Sequence, residues 1–291
     1  MLESVPHRDP DLTRRTVVSG LAVGTALVVG ACTSAVDQGR TSVGATTTPP
    51  STSSSPSSGA NGVPGSPTTT TTTTATATVS AAAPAVLLTA GPDISSGPSA
   101  GTGVALTFHG AGDVATTHAV LDALHARGAR VTVFAVGTWL SATPSLGHEI
   151  VAAGHALGNP TWSHPVLTRL GLAAATDEVR RGADAVAAAI GAPGLLFRPS
   201  GTPTSTSTIR AAASAAGYHR SISYDLDSLD YTDPGADAVV STVTKALHPG
   251  AIVSLHLGHP GTLTALPRVL DALAARGLRA VTVTELLGGA A

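Results

Sequence analysis

Apolar residues fall into two different patterns along this chain. In the C-terminal part, short apolar runs bounded by Gly or polar residues alternate with stretches in which apolar residues recur every three or four positions. The runs at 104–108, 130–136, 156–158, 195–197, 221–224, 251–257 and 280–283 predict buried parallel strands, the third of them weak. Between them Val179, Ala183, Val186 and Ile190 share one helix face, as do Leu266, Val269, Leu270 and Leu273, and Val120, Leu121 and Leu124 form a third stripe. Gly128, Gly191, Gly217 and Gly277 mark helix ends. Alternating strand and helix imply an α/β fold with a parallel sheet and right-handed crossovers. Seven or so such units in roughly 190 residues fit a β/α barrel better than an open sheet, although periodicity does not separate the two.

The N-terminal part reads differently. Arg14 and Arg15 precede an apolar run of small residues, 17–31, that ends at Cys32. At roughly 15 residues it falls short of the roughly 20 needed to cross a bilayer as a helix. A basic start, a short apolar middle and a small-residue end predict an export signal. The arginine pair resembles a twin-arginine signal, and Val29-Gly30-Ala31-Cys32 resembles a bacterial lipobox, in which Cys32 is lipidated. A lipid on Cys32 would tether the chain to the outer face of the cytoplasmic membrane or within the cell wall. From residue 33 the composition turns to Thr, Ser, Pro, Gly and Ala, with unbroken threonine over 68–74. So little apolar surface cannot offset chain entropy, which predicts a disordered spacer. The expected organisation is a signal over 1–32, a linker over 33–102 and a folded domain over 103–291, although the biased composition ends near Ala83 and the domain could start as early as about Val86.

Composition removes several functions. A net charge of -2 and a single lysine, Lys245, exclude a broad nucleic-acid surface, which needs clustered cations. One cysteine excludes an internal disulfide framework and a thiolate-rich zinc site.

Reactive side chains fall just after the predicted strands. His109 and Asp113 follow the first and Arg198 the fourth; Asp225, Asp227 and Asp230 follow the fifth, and His256 and His259 end or follow the sixth. His164 lies in the loop after the third. In a β/α barrel these positions converge on one rim, where active sites are built. His118, His125 and His148 fall within helical stretches and read as surface residues.

Five ordered blocks carry a resemblance. They are Leu106-Thr107-Phe108, the stretch from Gly158 to Pro165, Phe197-Arg198-Pro199-Ser200-Gly201, the stretch from Asp227 to Tyr231, and Val253-Ser254-Leu255-His256. The set resembles the NodB-homology polysaccharide deacetylases, carbohydrate esterase family four, over the whole domain from about residue 103. The resemblance implies a distorted seven-stranded β/α barrel. It also implies removal of acetyl groups from N-acetylated sugars of chitin, peptidoglycan or related polymers, and sometimes from O-acetylated xylan, with a divalent metal.

Two departures from that family bear on the chemistry. The family carries an aspartate pair after the first block, the former a base and the latter a metal ligand. Here the pair is His109-Gly110. The first histidine of the family's His-x-x-x-His ligand pair is Pro160, which leaves His164. Two readings follow. In the first the site is rebuilt: Asp113, His164 and either His109 or His259 bind a divalent ion, zinc suiting nitrogen and carboxylate donors. His109 then stands at the base position, and Arg198 matches the arginine that pairs with the family's base. Beside an imidazole that arginine would disfavour the charged form, or pair with Asp113 instead. His256 matches the catalytic acid, with Asp230 or Asp227 orienting it. In the second reading the domain is an inactive carbohydrate binder, with Trp162 and Tyr231 offering apolar faces to sugar rings. A purely structural tethered domain would leave the coincidence of Arg198, His256 and Asp230 without a reason.

Overall fold

The computed structural model describes residues 83–288. The export signal, the lipobox with Cys32 and the linker up to residue 82 lie outside the described residues. All of β1 (Gly103–Gly110) is buried except His109, as expected of an apolar run that is covered on both sheet faces. β1 pairs in parallel with β2 (Thr132–Ala135) through its last residues and with β5 (Ile252–His256) along its length. β3 (Ala156–Gly158) extends the sheet beyond β2 and β4 (Leu226–Asp227) beyond β5, giving the order β3-β2-β1-β5-β4. β6 (Arg279–Val281) joins the first residues of β1, Gly103 to Ala105.

Eight helices surround this parallel sheet among the described residues: α1 (Val114–His125), α2 (Gly137–Ala142), α3 (Pro144–Ala152), α4 (Leu172–Ile190), α5 (Ser207–Ala215), α6 (Ala236–Ala246), α7 (Pro260–Ala275) and α8 (Val283–Gly288). The expected stripes face inward: Val120 and Leu124 of α1, Val179, Ala183 and Val186 of α4, and Leu266, Val269, Leu270 and Leu273 of α7 are all buried. Helix α4 stops at Gly191, whose φ of 81° is the left-handed cap that glycine adopts without a Cβ penalty.

Two of the seven expected strands do not form ladders. The runs at 195–197 and 221–224 contribute only single parallel bridges, Asn159↔Phe197, Phe197↔Ser221 and Ile94↔Ile222. These bridges continue the wall between β3 and β4 in place of continuous strands, so the sheet itself has six strands. The reason is chemical. Pro199 brings no N–H to a ladder, and the Arg198 guanidinium takes the carbonyls of Ile222 and Ser223 at 3.1 and 3.0 Å. The short β4, hidden in the Asp-rich stretch 225–230, was not foreseen.

Of the two starts the sequence allows, about Val86 and about 103, the structured residues follow the earlier one. Residues 84–102, which the later start leaves in the linker, pack onto the sheet: Leu87, in a 3-10 turn over Ala85–Leu88, and Ile94 are buried. Ser96 forms an antiparallel bridge with Ala251.

Candidate active site

The register of β1 against β5 sets His109 directly beside His256 at the strands' C-terminal ends. Their rings stack with centroids 5.0 Å apart and planes 27° apart. The next contribution comes from the loop after β3. His164 reaches back so that its Nε2 lies 3.1 Å from His109 Nδ1.

That loop is held in an unfavourable shape. Thr161 has φ 88° and His164 φ 58°, in the left-handed region that a β-branched residue rarely enters. Strain of this kind persists only where the surroundings over-determine it, and here they do. The Asn159 side chain accepts from Thr161 N at 2.7 Å and donates to the Val179 carbonyl at 2.8 Å and the Tyr218 hydroxyl at 3.2 Å. Thr161 Oγ1 meets Ser200 Oγ at 3.1 Å, and Glu178 accepts from both Ser163 N and Ser163 Oγ at 2.8 Å. Gly182 of α4 makes room for this network, since a Cβ there would stand 2.1 Å from Asn159 Oδ1. Asn159, Glu178 and Gly182 were missed in the sequence; Asn159 was signalled only by its place in the block from Gly158 to Pro165, Gly182 only by being a glycine inside a helical stretch, and Glu178 by nothing.

Behind His256 sits Asp230, its side chain 0% exposed. One carboxylate oxygen accepts from His256 Nδ1 at 2.7 Å. The other accepts from His256 N at 2.7 Å and from Thr262 Oγ1 at 2.5 Å. Burial alone would raise this carboxyl, but the hydrogen bonds from His256 and Thr262 outweigh it and hold Asp230 below its ordinary value. The Nδ1–H bond leaves His256 Nε2 facing outward.

His109 lies in the opposite electrostatic setting. Burial, then the cations or potential cations Arg198, His256 and His164, hold its imidazole well below 6.5, so it is neutral at physiological pH. Burial and His256 lower His164 as well. Arg198 is 1% exposed. Its three nitrogens donate to Ile222 O, Thr107 Oγ1 at 2.8 Å and Ser223 O, and its plane lies 4.3 Å from the Phe134 ring centroid. Burial brings its pKa down to about 9, which still leaves it protonated at neutral pH.

These groups open into a 320 Å³ cleft lined by His109, His164, Arg198, Tyr224, Asp227, Tyr231 and His256 with the 199–203 loop. Tyr231, 47% exposed, presents its ring edge to His256 at 5.4 Å. Asp227 stands on the cleft wall, its Oδ1 accepting from Leu229 N at 3.0 Å, and does not contact His256; Asp230 alone orients that ring.

Three expected site residues lie elsewhere. Asp113 is the N-cap of α1, both of its oxygens taken by Thr116, through N at 2.8 Å and Oγ1 at 2.6 Å. A carboxylate one residue before a helix satisfies free N–H groups there more readily than it turns inward. His259 bonds Asp233 at 2.8 Å and meets His256 only edge-on, at 5.8 Å. Trp162 turns to the outside of the wall, where Arg181 of α4 stacks 4.4 Å from its ring.

The residues present do not fit the divalent metal that the resemblance implies. A tetrahedral catalytic zinc needs three protein ligands. Gly110 and Pro160 carry no donor, and Asp113 and His259 are engaged away from the cleft. Among the described residues no group of three or more His, Cys, Asp or Glu side chains could hold an ion.

Comparison with known proteins places this geometry. The polysaccharide deacetylase family model matches residues 96–221. The solved family 4 carbohydrate esterase from Streptomyces lividans, in complex with acetate, is 33% identical and superimposes with a TM-score of 0.56, covering 61% of this chain and 90% of that one. The chain belongs to the polysaccharide deacetylase family. That family, carbohydrate esterase family 4, is one of hydrolases, and its solved members share the parallel-sheet α/β fold described above. A CE4 family pseudoenzyme from Bacillus anthracis is similar at 25% identity and a TM-score of 0.62, covering 67% of this chain and 68% of its own. A peptidoglycan-N-acetylglucosamine deacetylase from Bacillus cereus is 38% identical over 97 residues. That alignment spans 45% of the relative's length, under half of it.

Proposed function

We propose that this chain uses the deacetylase cleft to bind an acetylated glycan of the cell envelope without metal-dependent turnover. The observation that carries the reading is the donor set: His109 and His164 are the two imidazoles that meet at one point, and the positions that complete the family's ligand set are Gly110 and Pro160. Without a cation the family's means of sharpening water into hydroxide is missing, while the cleft and its polar rim persist. Loss of turnover accords with the similarity to a family pseudoenzyme, and an envelope location with the similarity to a peptidoglycan deacetylase. We extend the reading to the N-terminus: export and lipid attachment at Cys32 would hold the domain near such a glycan.

A second reading, hydrolysis without the family's metal, is favoured by the intact His256–Asp230 pair. There, neutral His109 takes the proton from water and His256 delivers one to the leaving group.

Calorimetric titration of the full chain with chitotetraose, alongside an acetate-release assay with and without zinc and with and without EDTA, decides among these. Binding that EDTA leaves unchanged, with no acetate formed, supports the binder. Acetate release that EDTA leaves unchanged and His256→Ala abolishes selects the second reading. Zinc-dependent release overturns both.

A further inference from the structure

Arg198 is a buried cation with no direct ion-pair partner, Asp227 acting on it only from beyond ion-pair distance. No carboxylate comes within ion-pair distance of it among the described residues, and its partners are two carbonyls and a hydroxyl. A guanidinium carries five N–H groups in a planar fork suited to a carboxylate. Three are occupied here, and the side chain lines the cleft. A charge withdrawn from water is costly unless it is paired. Where the family has a carboxylate beside this arginine, the chain has neutral His109, and Gly110 in the adjoining position adds none. Among the described residues Asp227 is the one carboxylate lining the cleft; its Oδ1 accepts from Leu229 N at 3.0 Å, and it forms no ion pair with Arg198. His109 and His164 add imidazole nitrogens at the same wall.

We propose that Arg198 makes this cleft a carboxylate-binding site, so that the glycan it recognises carries an acidic sugar. The substitution of imidazole for carboxylate at position 109 converts a pocket that balanced its arginine internally into one balanced by ligand. This rests on the glycan-binding reading and narrows it from acetylated sugars in general to those bearing a carboxylate.

The test uses two probes that differ in a lactyl carboxylate, N-acetylmuramic acid and N-acetylglucosamine, with acetate as a third, titrated into the full chain. Charge-assisted hydrogen bonds from the two remaining N–H groups predict about tenfold tighter binding of the acidic sugar. The preference should vanish in His109→Asp, which restores an internal partner for Arg198 with the residue the family itself carries there. Arg198→Gln, checked for folding by circular dichroism, should lose it too, and if that variant does not fold, His109→Asp decides. Equal affinity for the two sugars overturns the carboxylate site while leaving the glycan reading standing. Acetate binding with neither sugar bound supports the carboxylate site and overturns the glycan reading. A preference that survives His109→Asp overturns the assignment to Arg198.

Discussion

Asp230 clamps His256 at two points, through the ring Nδ1 and through the backbone N, each at 2.7 Å. One carboxylate thereby fixes both the position and the tautomer of the histidine that ends β5. Asp230→Asn leaves the shape but removes the charge and one acceptor. Hydrogen bonds to a buried charged group are worth about 1.5–3 kcal/mol, so chemical denaturation at pH 7 should show a loss of that order. Because the native carboxyl lies below its unfolded value of about 3.9, its contribution is complete above that pH and fades as pH falls through the lower native value. The gap between wild type and Asp230→Asn should therefore close in acid, and a gap constant with pH would refute the charged clamp.

His109 gives a second pH signature. Its native value lies below 6.5, so between that lowered value and about 6.5 the unfolded chain binds a proton that the native chain does not. Stability must fall as pH drops through this window. Imidazole NMR resonances should show His109 still neutral at pH 6, and His109→Gln should flatten the stability profile below about 6.5. A resonance titrating at the ordinary value would contradict the burial and cation arguments.

Gly110 predicts that the family's lost ligand cannot simply be put back. A Cβ there would meet Ala135 Cα at 2.9 Å and Val133 Cγ1 at 3.0 Å, both on β2. Gly110→Asp should destabilise by about 1–3 kcal/mol, the range of an overpacked core. Equilibrium denaturation measures it, and an unchanged midpoint would mean that β2 yields freely.

Gly182 tests the loop that presents His164. Alanine gains about 1 kcal/mol over glycine in a helix interior. Against this stand overpacking at 2.1 Å from Asn159 Oδ1 and the breaking of Asn159's buried bonds, about 1 kcal/mol each. Gly182→Ala should therefore lower stability and weaken glycan binding together. Loss of stability with binding intact would separate the network from the cleft.

Much of this was legible in the sequence because period and position carry it. The buried runs at 104–108 and 251–257 became β1 and β5, and their register alone puts His109 beside His256. Local competition was harder to read. Arg198 takes up carbonyls that a ladder would use, so 195–197 and 221–224 stay single bridges. Trp162 has the same residues around it whether it faces sugar or Arg181, and only the strained turn at Thr161 decides. Leu87 and Ile94 were masked by the low-complexity composition that precedes them.

Asp113 is the sharpest case, since the same carboxylate serves as a metal ligand in one account and as a helix cap in the other. The cap claims both oxygens through Thr116, whose N and Oγ1 hold the carboxyl below its ordinary value. A cap acts on helix α1 and nothing beyond it. Asp113→Ala should lower Tm by a few degrees and leave glycan affinity unchanged. Asp113→Asn or Asp113→Ser, which can still accept from the Thr116 N–H, should recover most of the loss. A ligand role makes the reverse prediction, a site that fails in all three variants while the helix holds, so measuring Tm and affinity side by side separates the two.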